Sequence, residues 1–264
     1  MKTILLKISG KSIENFLDDR NSIKKIKELQ NSFDALIIVH GAGIKISEWS
    51  RVFGLKPKFY MGQRITDKDT MEIVAAVQAG LINTKLISML QTNQVNAIGL
   101  TGVDNGLFTA EYINEDLGYV GVPVFSENKV WLSSIMQEGI IPVFSSICKD
   151  KDGNLMNVNA DIFAKELAIA VEADTVLFLS DISGVKLNGS VQTEINDADI
   201  NEGILSGQIT DGMIPKLKSC LNLIHNGTRK VWIGDDLPGG NFEEPFSENN
   251  LKGTWIVESK TITA

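Results

Sequence analysis

Histidine and cysteine are scarce in this chain, with two of each among its 264 residues. His40 and His225 are too few for a histidine-based metal site, and the sequence offers them no evident partners for a Ser-His-Asp triad. Cys148 and Cys220 lie far apart and match no metal-binding or redox spacing. We therefore interpret both cysteines as reduced structural thiols of a cytoplasmic protein.

Positive charge is also in deficit. The chain has 25 Lys and Arg against 33 Asp and Glu, which gives a net charge of −8 and a pI of about 4.9. This balance excludes a global basic field, so we expect neither nucleic acid nor an anionic membrane as a partner. The N-terminus leads directly into a predicted strand, and no apolar run reaches transmembrane length. We therefore expect neither a signal peptide nor a membrane span.

Strand-like and helix-like segments alternate along the chain, which is typical of a mostly parallel sheet between two layers of helices. The predicted main strands are Thr3–Ile8, Ala35–His40, Ala97–Thr101, 140–145, 175–180, 230–233 and Thr254–Val257. The predicted helices are 22–30, 44–53, 67–94, 129–138, 161–171, 198–205 and 215–226. Phe108–Tyr112 and 118–124 predict a hairpin outside the main sheet. The pattern therefore predicts an α/β fold, a three-layer αβα sandwich with a mostly parallel open sheet.

The segment 67–94 is the longest helical pattern, with apolar residues every three to five positions. Thr66 is a candidate cap for it, with Asp69 three residues later. A helix of this length with a wide apolar face is expected either in a subunit interface or deep in the core.

Two glycine-containing turns resemble phosphate-binding motifs but do not match them. Gly10-Lys11-Ser12 resembles the end of a P-loop, yet Leu5 stands where that motif needs glycine. Gly41-Ala42-Gly43 resembles the start of a dinucleotide fingerprint, yet Ile46 occupies the third glycine position. Lys7, near the end of the first strand, is suited to phosphate oxygens, or it is an ordinary surface lysine at a strand end.

Several motifs occur in a characteristic order: Lys7 with Gly10, His40–Gly43, Gly62–Asp67 (GQRITD), Gly99–Gly102 (GLTG), MNVNAD around Asn157, SDISGV from Ser180, and ITDGMIPK ending at Lys216. Together they resemble the amino acid kinase family, most closely its N-acetylglutamate kinase branch, from end to end. The resemblance implies an αβα sandwich and phosphorylation of the side-chain carboxylate of N-acetyl-L-glutamate in arginine biosynthesis. It implies ATP as cosubstrate, with Mg²⁺ carried on its phosphates.

By the same resemblance, the chain is one kinase domain of two lobes. Residues 1–172 form an N-lobe for acyl-glutamate binding and dimerisation, and residues 173–264 form a C-lobe for ATP. The first strand starts at about Thr3, which leaves no N-terminal helix of the kind that links arginine-inhibited members into hexamers. We therefore expect a homodimer that is insensitive to arginine and has small molecules as its substrates.

The resemblance assigns the catalytic roles to Lys7, Lys216 and Asp161. Two lysines from opposite lobes would hold the transferred phosphoryl group, with Asp161 between their ammonium groups. The residues predicted to bind the acyl substrate are Gly10, Ala42, Gly43, Arg64 and Asn157. Those predicted to bind ATP are Asp181, Ser183, Gly184, Val185, Lys186, Ile209, Thr210 and Gly212.

Three residues depart from the family pattern. Ser9 and Ala42 stand where glycine is usual, and Gln63 replaces a commonly apolar residue before Arg64. Gln63 either enters the acyl pocket, where it would favour a succinyl over an acetyl group, or faces solvent. The acyl group therefore stays open between acetyl, succinyl and a carrier-bound acid. A catalytically inactive nucleotide-binding sensor is the remaining alternative.

Overall fold

The computed structural model describes residues 1–210, 212–238 and 253–259, in which strands and helices alternate as the sequence predicts. The strands are β1 Thr3–Ile8, β2 Ala35–His40, β3 Phe59–Tyr60, β4 Gln63–Arg64, β5 Ala97–Thr101, β6 Phe108–Tyr112, β7 Val120–Phe125, β8 Ile141–Ser145, β9 Ile147–Lys149, β10 Leu155–Val158, β11 Thr175–Leu179, β12 Lys186–Leu187, β13 Ser190–Val191, β14 Glu194–Ile195, β15 Lys230–Gly234 and β16 Thr254–Val257. The helices are α1 Ile13–Asp18, α2 Arg20–Ser32, α3 Gly43–Val52, α4 Lys68–Ala75, α5 Asn83–Thr92, α6 Val130–Gln137, α7 Ala160–Ala170, α8 Asp197–Leu205 and α9 Met213–His225.

One large sheet runs through the described part of the chain, in the order β14-β16-β15-β11-β1-β2-β8-β5. Strand β1 lies inside it and pairs in parallel with β11 and β2. The β15–β16 pair is antiparallel, and the other pairs in this sheet are parallel. The predicted mostly parallel open sheet is confirmed, and its buried apolar strands are what a sheet covered on both faces requires.

Helices cover both faces of the sheet, so the predicted three layers are also confirmed. Successive side chains of a strand point to opposite faces. In β1, Ile4 and Leu6 pack with residues of α1, α2, α4 and α5, whereas Leu5 packs with residues of α6, α7 and α9. This alternation places Lys7 on the face of Leu5, beneath α7.

The predicted helix 67–94 is continuous but not uniform. A π-helical segment, Ala76–Ile82, separates α4 from α5. The helix is capped by Asp67, whose Oδ1 accepts a hydrogen bond from the Thr70 N–H at 2.8 Å. The prediction that Thr66 caps it is wrong, because the Thr66 hydroxyl donates to the Arg64 carbonyl at 2.8 Å instead.

The same helix corrects the expectation that no segment reaches transmembrane length. Lys68–Thr92 is long and apolar enough to cross a membrane by length and composition alone. It nevertheless carries the buried polar side chains Gln78 and Asn83, which hydrogen-bond to residues at the strand ends. These contacts are typical of a core helix. The sequence showed no apolar run of transmembrane length here because polar residues interrupt the apolar ones.

A small closed barrel of β6, β7, β9 and β10 stands beside the main sheet. The antiparallel pairing of β6 with β7 confirms the predicted hairpin. Strand β10 then carries Asn157 back towards the main sheet, immediately before α7. The sequence pattern missed α1, and α9 begins at Met213, two residues before the predicted start at Pro215.

Candidate active site

A cleft of about 610 Å³ opens at the carboxyl ends of β1 and β2. This is the edge at which open parallel sheets bind their ligands. The structure brings seven of the predicted site residues to its wall, namely Lys7, Gly10, Ala42, Gly43, Arg64, Asn157 and Asp161. They come from segments up to about 150 residues apart in the sequence, which only the sheet topology brings together.

Lys7 and Asp161 form an ion pair at the base of the cleft. The Lys7 side chain is buried, and its Nζ lies 2.5 Å from Asp161 Oδ1. Asp161 stands in the first turn of α7, where Asn159 caps the helix by accepting from the Asp161 N–H. Burial would raise the pKa of Asp161, but the charges of Lys7 and Lys216 and the hydrogen bond from Lys7 hold it below its ordinary value.

Lys216 contributes a third charged group from α9. Its Nζ donates to Ser180 Oγ at 2.9 Å, at the end of β11. Burial and the positive charge of Lys7 lower the pKa of Lys216, while the negative charge of Asp161 opposes this shift. Lys7, Asp161 and Lys216 thus form one electrostatically coupled cluster drawn from β1, α7 and α9.

Glycine is required at position 10 by a close approach of two backbone segments. A Cβ atom there would lie 2.4 Å from the Gly43 nitrogen and 2.9 Å from the Ala42 nitrogen. Helix α3 starts at Gly43, and its N-cap Ala42 supplies no side-chain hydrogen bond. The first N–H groups of α3 are therefore available to an anion. Ala42 has a φ of −146°, so alanine fits this position without strain.

Arg64 is held so that one end of its guanidinium stays open. Nη2 donates to the Gly43 carbonyl at 2.9 Å and to Ser47 Oγ at 2.8 Å, and the group lies 4.8 Å from the Phe59 ring centroid. Nη1 is buried without a hydrogen-bond partner among the described residues. Asn157 lies nearby, with its Nδ2 donating to Thr66 Oγ1 at 3.0 Å. A planar cation with one free end is suited to a carboxylate ligand.

A buried polar network that the sequence analysis missed lies beneath the cleft. Gln78, in the π-helical segment, donates from Nε2 to the His40 carbonyl at 3.2 Å and to Ser146 Oγ at 2.9 Å. Asn83 Nδ2 lies 3.1 Å from His40 Nε2, and burial lowers the pKa of His40 to about 4. One signal was present in the sequence: Gln78 is four residues after Val74, on the apolar face of the helix. Such π-helical segments are frequent at functional sites.

The residues predicted to bind ATP lie in a more open region. Asp181 follows β11, with its Oδ2 2.6 Å from Lys11 Nζ, a partner that the sequence analysis did not single out. Ser183, Lys186, Thr210 and Gly212 are exposed. The side chains of Val185 and Ile209 are in the core, and the Val185 N–H donates to Thr254 Oγ1 at 2.7 Å. Asp211 of the same motif lies outside the described residues.

Known proteins resemble this chain over most of its length. The sequence profile of the amino acid kinase family matches residues 2–235. Acetylglutamate kinase of Clostridium acetobutylicum is 37% identical over 245 residues, covering 89% of this chain and 83% of that protein. Acetylglutamate kinase of Methanopyrus kandleri is 36% identical over 222 residues, covering 80% and 90%. The crystal structure of smu.665 from Streptococcus mutans superposes with a TM-score of 0.81 at 29% identity, covering 97% of this chain and 98% of that one.

Proposed function

Because this chain belongs to the amino acid kinase family, we propose that it transfers the γ-phosphoryl group of ATP to the side-chain carboxylate of N-acetyl-L-glutamate. A carboxylate oxygen forms a bond to the γ-phosphorus while the bond from that phosphorus to the β–γ bridging oxygen breaks, releasing ADP. The product is N-acetylglutamyl 5-phosphate. The observation that carries this proposal is the Lys7–Asp161 ion pair at the base of a cleft that also holds Arg64, with the charge of Lys216 acting on the same carboxylate.

The acceptor explains why no general base is needed. A glutamate side chain ionises with a pKa of about 4.3, so the nucleophile is already an anion at neutral pH. The protein then has to position the reactants and neutralise charge. Lys7 contacts the accepting side of the transferred group and Lys216 the leaving side, while Asp161 orients both ammonium groups. These roles remain proposals that substitution can test.

On the acyl side, Arg64 Nη1 donates to the α-carboxylate of the substrate. Asn157 offers a donor and an acceptor to its amide and carboxylate. Gly10 packs against the backbone nitrogens of Ala42 and Gly43, and we propose that these N–H groups bind the reacting end of the substrate. On the nucleotide side, we propose that the segments Asp181–Lys186 and Ile209–Gly212 contact ATP, largely through backbone and exposed polar groups.

Magnesium fits this arrangement as a companion of the nucleotide. The described residues contain no group of three or more His, Cys, Asp or Glu side chains placed to hold a metal ion. We propose that the ion would arrive with ATP and that Asp181, which follows β11, would be a candidate side chain to hold it. When bound, Mg²⁺ supplies neutralisation of phosphate charge.

We further propose a cytoplasmic homodimer acting in arginine biosynthesis, with the helix Lys68–Thr92 in the subunit interface. The apolar side chains that suggested an interface, such as Val74 and Leu86, pack in the core of this chain. The support for dimerisation comes instead from the exposed face of this helix. Ala76 and Gly80 are exposed there, and they lie close to the edge strand β5, which is itself partly exposed. Light scattering tests this proposal, and a monomer would overturn it.

The division into an acyl-binding lobe, 1–172, and an ATP-binding lobe, 173–264, is likewise proposed.

The decisive experiment traps the acyl phosphate with hydroxylamine. The purified protein is incubated with ATP, Mg²⁺ and N-acetyl-L-glutamate, and hydroxamate and ADP are measured together. We expect equal amounts of both. ADP without hydroxamate would indicate hydrolysis only, and neither product would favour the nucleotide-binding sensor.

A further inference from the structure

Gln63 leaves a polar atom of its side chain buried and unmatched beside the cleft. The residue lines the cleft, and its Oε1 has no hydrogen-bond partner among the described residues. Leaving a buried amide unpaired costs free energy, so such groups normally have a partner. The side chain as a whole is half-buried, so a change of rotamer lets its amide reach either water or a ligand that fills the cleft. Because the residue lines the cleft, a ligand there is a candidate partner for this amide.

The position of Gln63 is set by a tight hairpin. Strands β3 and β4 pair with Tyr60 opposite Gln63, and the two-residue turn of Met61 and Gly62 has φ values of 46° and 78°. Two-residue turns with both φ values positive match the twist of a hairpin and fix its register. Gln63 is thereby held directly next to Arg64, on the same cleft.

This adjacency relates Gln63 to one part of the substrate. The inference rests on the proposed function, in which Arg64 binds the α-carboxylate of an N-acylglutamate. In that molecule the acylated nitrogen and the α-carboxylate share one carbon atom. Because Gln63 and Arg64 both line the cleft, an acyl chain that extends from that nitrogen runs within the same cleft as Gln63.

The charged side chains that line the cleft are able to balance one more anionic group. Among the described residues, Lys7, Lys11, Arg51 and Arg64 line it with positive charge, against the carboxylates Glu48 and Asp161. Glu48 is paired with Lys45, Asp161 with Lys7, and Lys11 with Asp181 outside the cleft. Burial and the nearby positive charge of Arg51 lower the pKa of Arg64. Arg51 itself forms no ion pair within the described part of the chain, and N-acetylglutamate brings only the two carboxylates already assigned to Arg64 and Lys7.

We propose that the acyl pocket also accepts acyl groups that end in a carboxylate, with Gln63 as the specificity-determining residue and Arg51 as its electrostatic partner. N-succinyl-L-glutamate is the simplest such substrate. The Gln63 amide serves a carboxylate through its N–H groups, because a half-turn of the amide exchanges its oxygen and nitrogen. The terminal carboxylate then lies between this amide and the Arg51 guanidinium.

The test compares two acyl groups of equal length but different polarity, succinyl and butyryl, with acetyl as the reference. We would measure kcat/KM for N-succinyl-, N-butyryl- and N-acetyl-L-glutamate with the wild type, Gln63→Leu, Gln63→Glu and Arg51→Leu. The wild type should favour succinyl over butyryl by about tenfold or more, and Gln63→Leu should remove that preference. Gln63→Glu should disfavour succinyl further, because it places a negative charge against the terminal carboxylate. Arg51→Leu should reduce the preference in part.

Gln137→Leu is the matched control, since Gln137 is exposed at the end of α6. It should leave the succinyl-to-butyryl ratio unchanged. A wild type that favours butyryl, or an unchanged ratio in Gln63→Leu, would overturn the inference. If none of the three acids is phosphorylated, the proposed function fails instead. Calorimetric binding of the same acids without ATP then decides the inference, since equal affinities for succinyl and butyryl in the wild type would refute it.

Discussion

The two sides of the active cleft are built differently. On the proposed acyl side, the groups that we propose to bind the substrate are buried and already fixed, as in Arg64, which is 7% exposed and held by Gly43, Ser47 and Phe59. On the proposed nucleotide side, Ser183, Lys186 and Thr210 are exposed, and the side chains of their buried neighbours belong to the core. The proposed acyl side is therefore preorganised, whereas the proposed nucleotide side is an open surface around strand ends.

The difference has a physical consequence for selectivity. A buried cation that is already held by hydrogen bonds loses little side-chain entropy on binding. A ligand that leaves its remaining N–H groups without a partner therefore binds with lower affinity. Exposed groups contribute weakly, because water and salt compete for them. We therefore expect substitutions on the acyl side to change substrate choice strongly. Single substitutions of exposed side chains on the proposed nucleotide side should have small effects, because each exposed group there would contribute only one weak contact to ATP.

The largest effect is expected where the two sides meet. In the proposed mechanism, Lys216→Met removes a charge that stabilises the transferring phosphoryl group, so kcat should fall at least about a hundredfold, and Lys7→Met should behave similarly. Hydroxamate formation at saturating substrates measures this, with circular dichroism to check folding. Lys27→Met, on the exposed face of α2, is the control. Turnover like that of the wild type in a folded Lys216→Met would remove this lysine from the mechanism.

The sequence predicted the strands and the turn that form this site better than the side-chain contacts around it. The buried strands and the glycine at position 10 could be predicted, because apolar runs and close backbone approach leave direct traces in the chain. The network of Gln78, Asn83 and His40 could not, since it depends on a π-helical segment that shifts the helix register in three dimensions. Arg64 could be proposed as a ligand, but its clamp by Ser47 and Phe59 depends on tertiary packing. From the sequence, Lys11 stood out only as part of a turn that resembles a P-loop without matching it.

A second prediction tests whether the acyl side is as rigidly buried as described. The pKa of His40 is about 4 in the folded chain, below the ordinary histidine value of 6.5. Between these two values the unfolded chain binds the additional proton, so the unfolding free energy should fall as pH drops from about 6.5 to 4. His40 should contribute roughly 3 kcal/mol to this loss. Urea denaturation at several pH values measures it.

The variant pair for this measurement uses both histidines. In His40→Asn the fall between pH 6.5 and 4 should be smaller by that amount, whatever the stability of the variant at neutral pH. His225→Asn should keep the fall of the wild type, because His225 is exposed at the end of α9. Equal pH slopes in the wild type and His40→Asn would contradict a buried neutral His40.

The third prediction concerns the shape of the Arg64 guanidinium. Arg64→Lys keeps a positive charge but loses the fork that donates to Gly43 and Ser47 while leaving Nη1 open. The KM for the acyl substrate should rise roughly 10- to 100-fold, while the KM for ATP changes little. Steady-state kinetics with each substrate varied measures both. Arg20→Lys, on the exposed start of α2, is the control, and an equal rise in both KM values would count against the separation of the two sides.

The smallest effect should come from Lys186, an exposed cation at the start of β12. If ATP recognition on this side is spread over an open surface, Lys186→Met should raise the KM for ATP only about threefold, the scale of an exposed ion pair. Because such a contact is screened, the difference from the wild type should nearly vanish at about 0.5 M salt. Arg64→Lys should keep its effect under the same conditions, since Arg64 is buried. Lys218→Met, exposed on α9, is the control. A rise of about a hundredfold in the KM for ATP that persists at high salt would mean that Lys186 becomes buried around the nucleotide. The contrast between a preorganised acyl side and an open nucleotide side would then not hold for the ATP-bound enzyme.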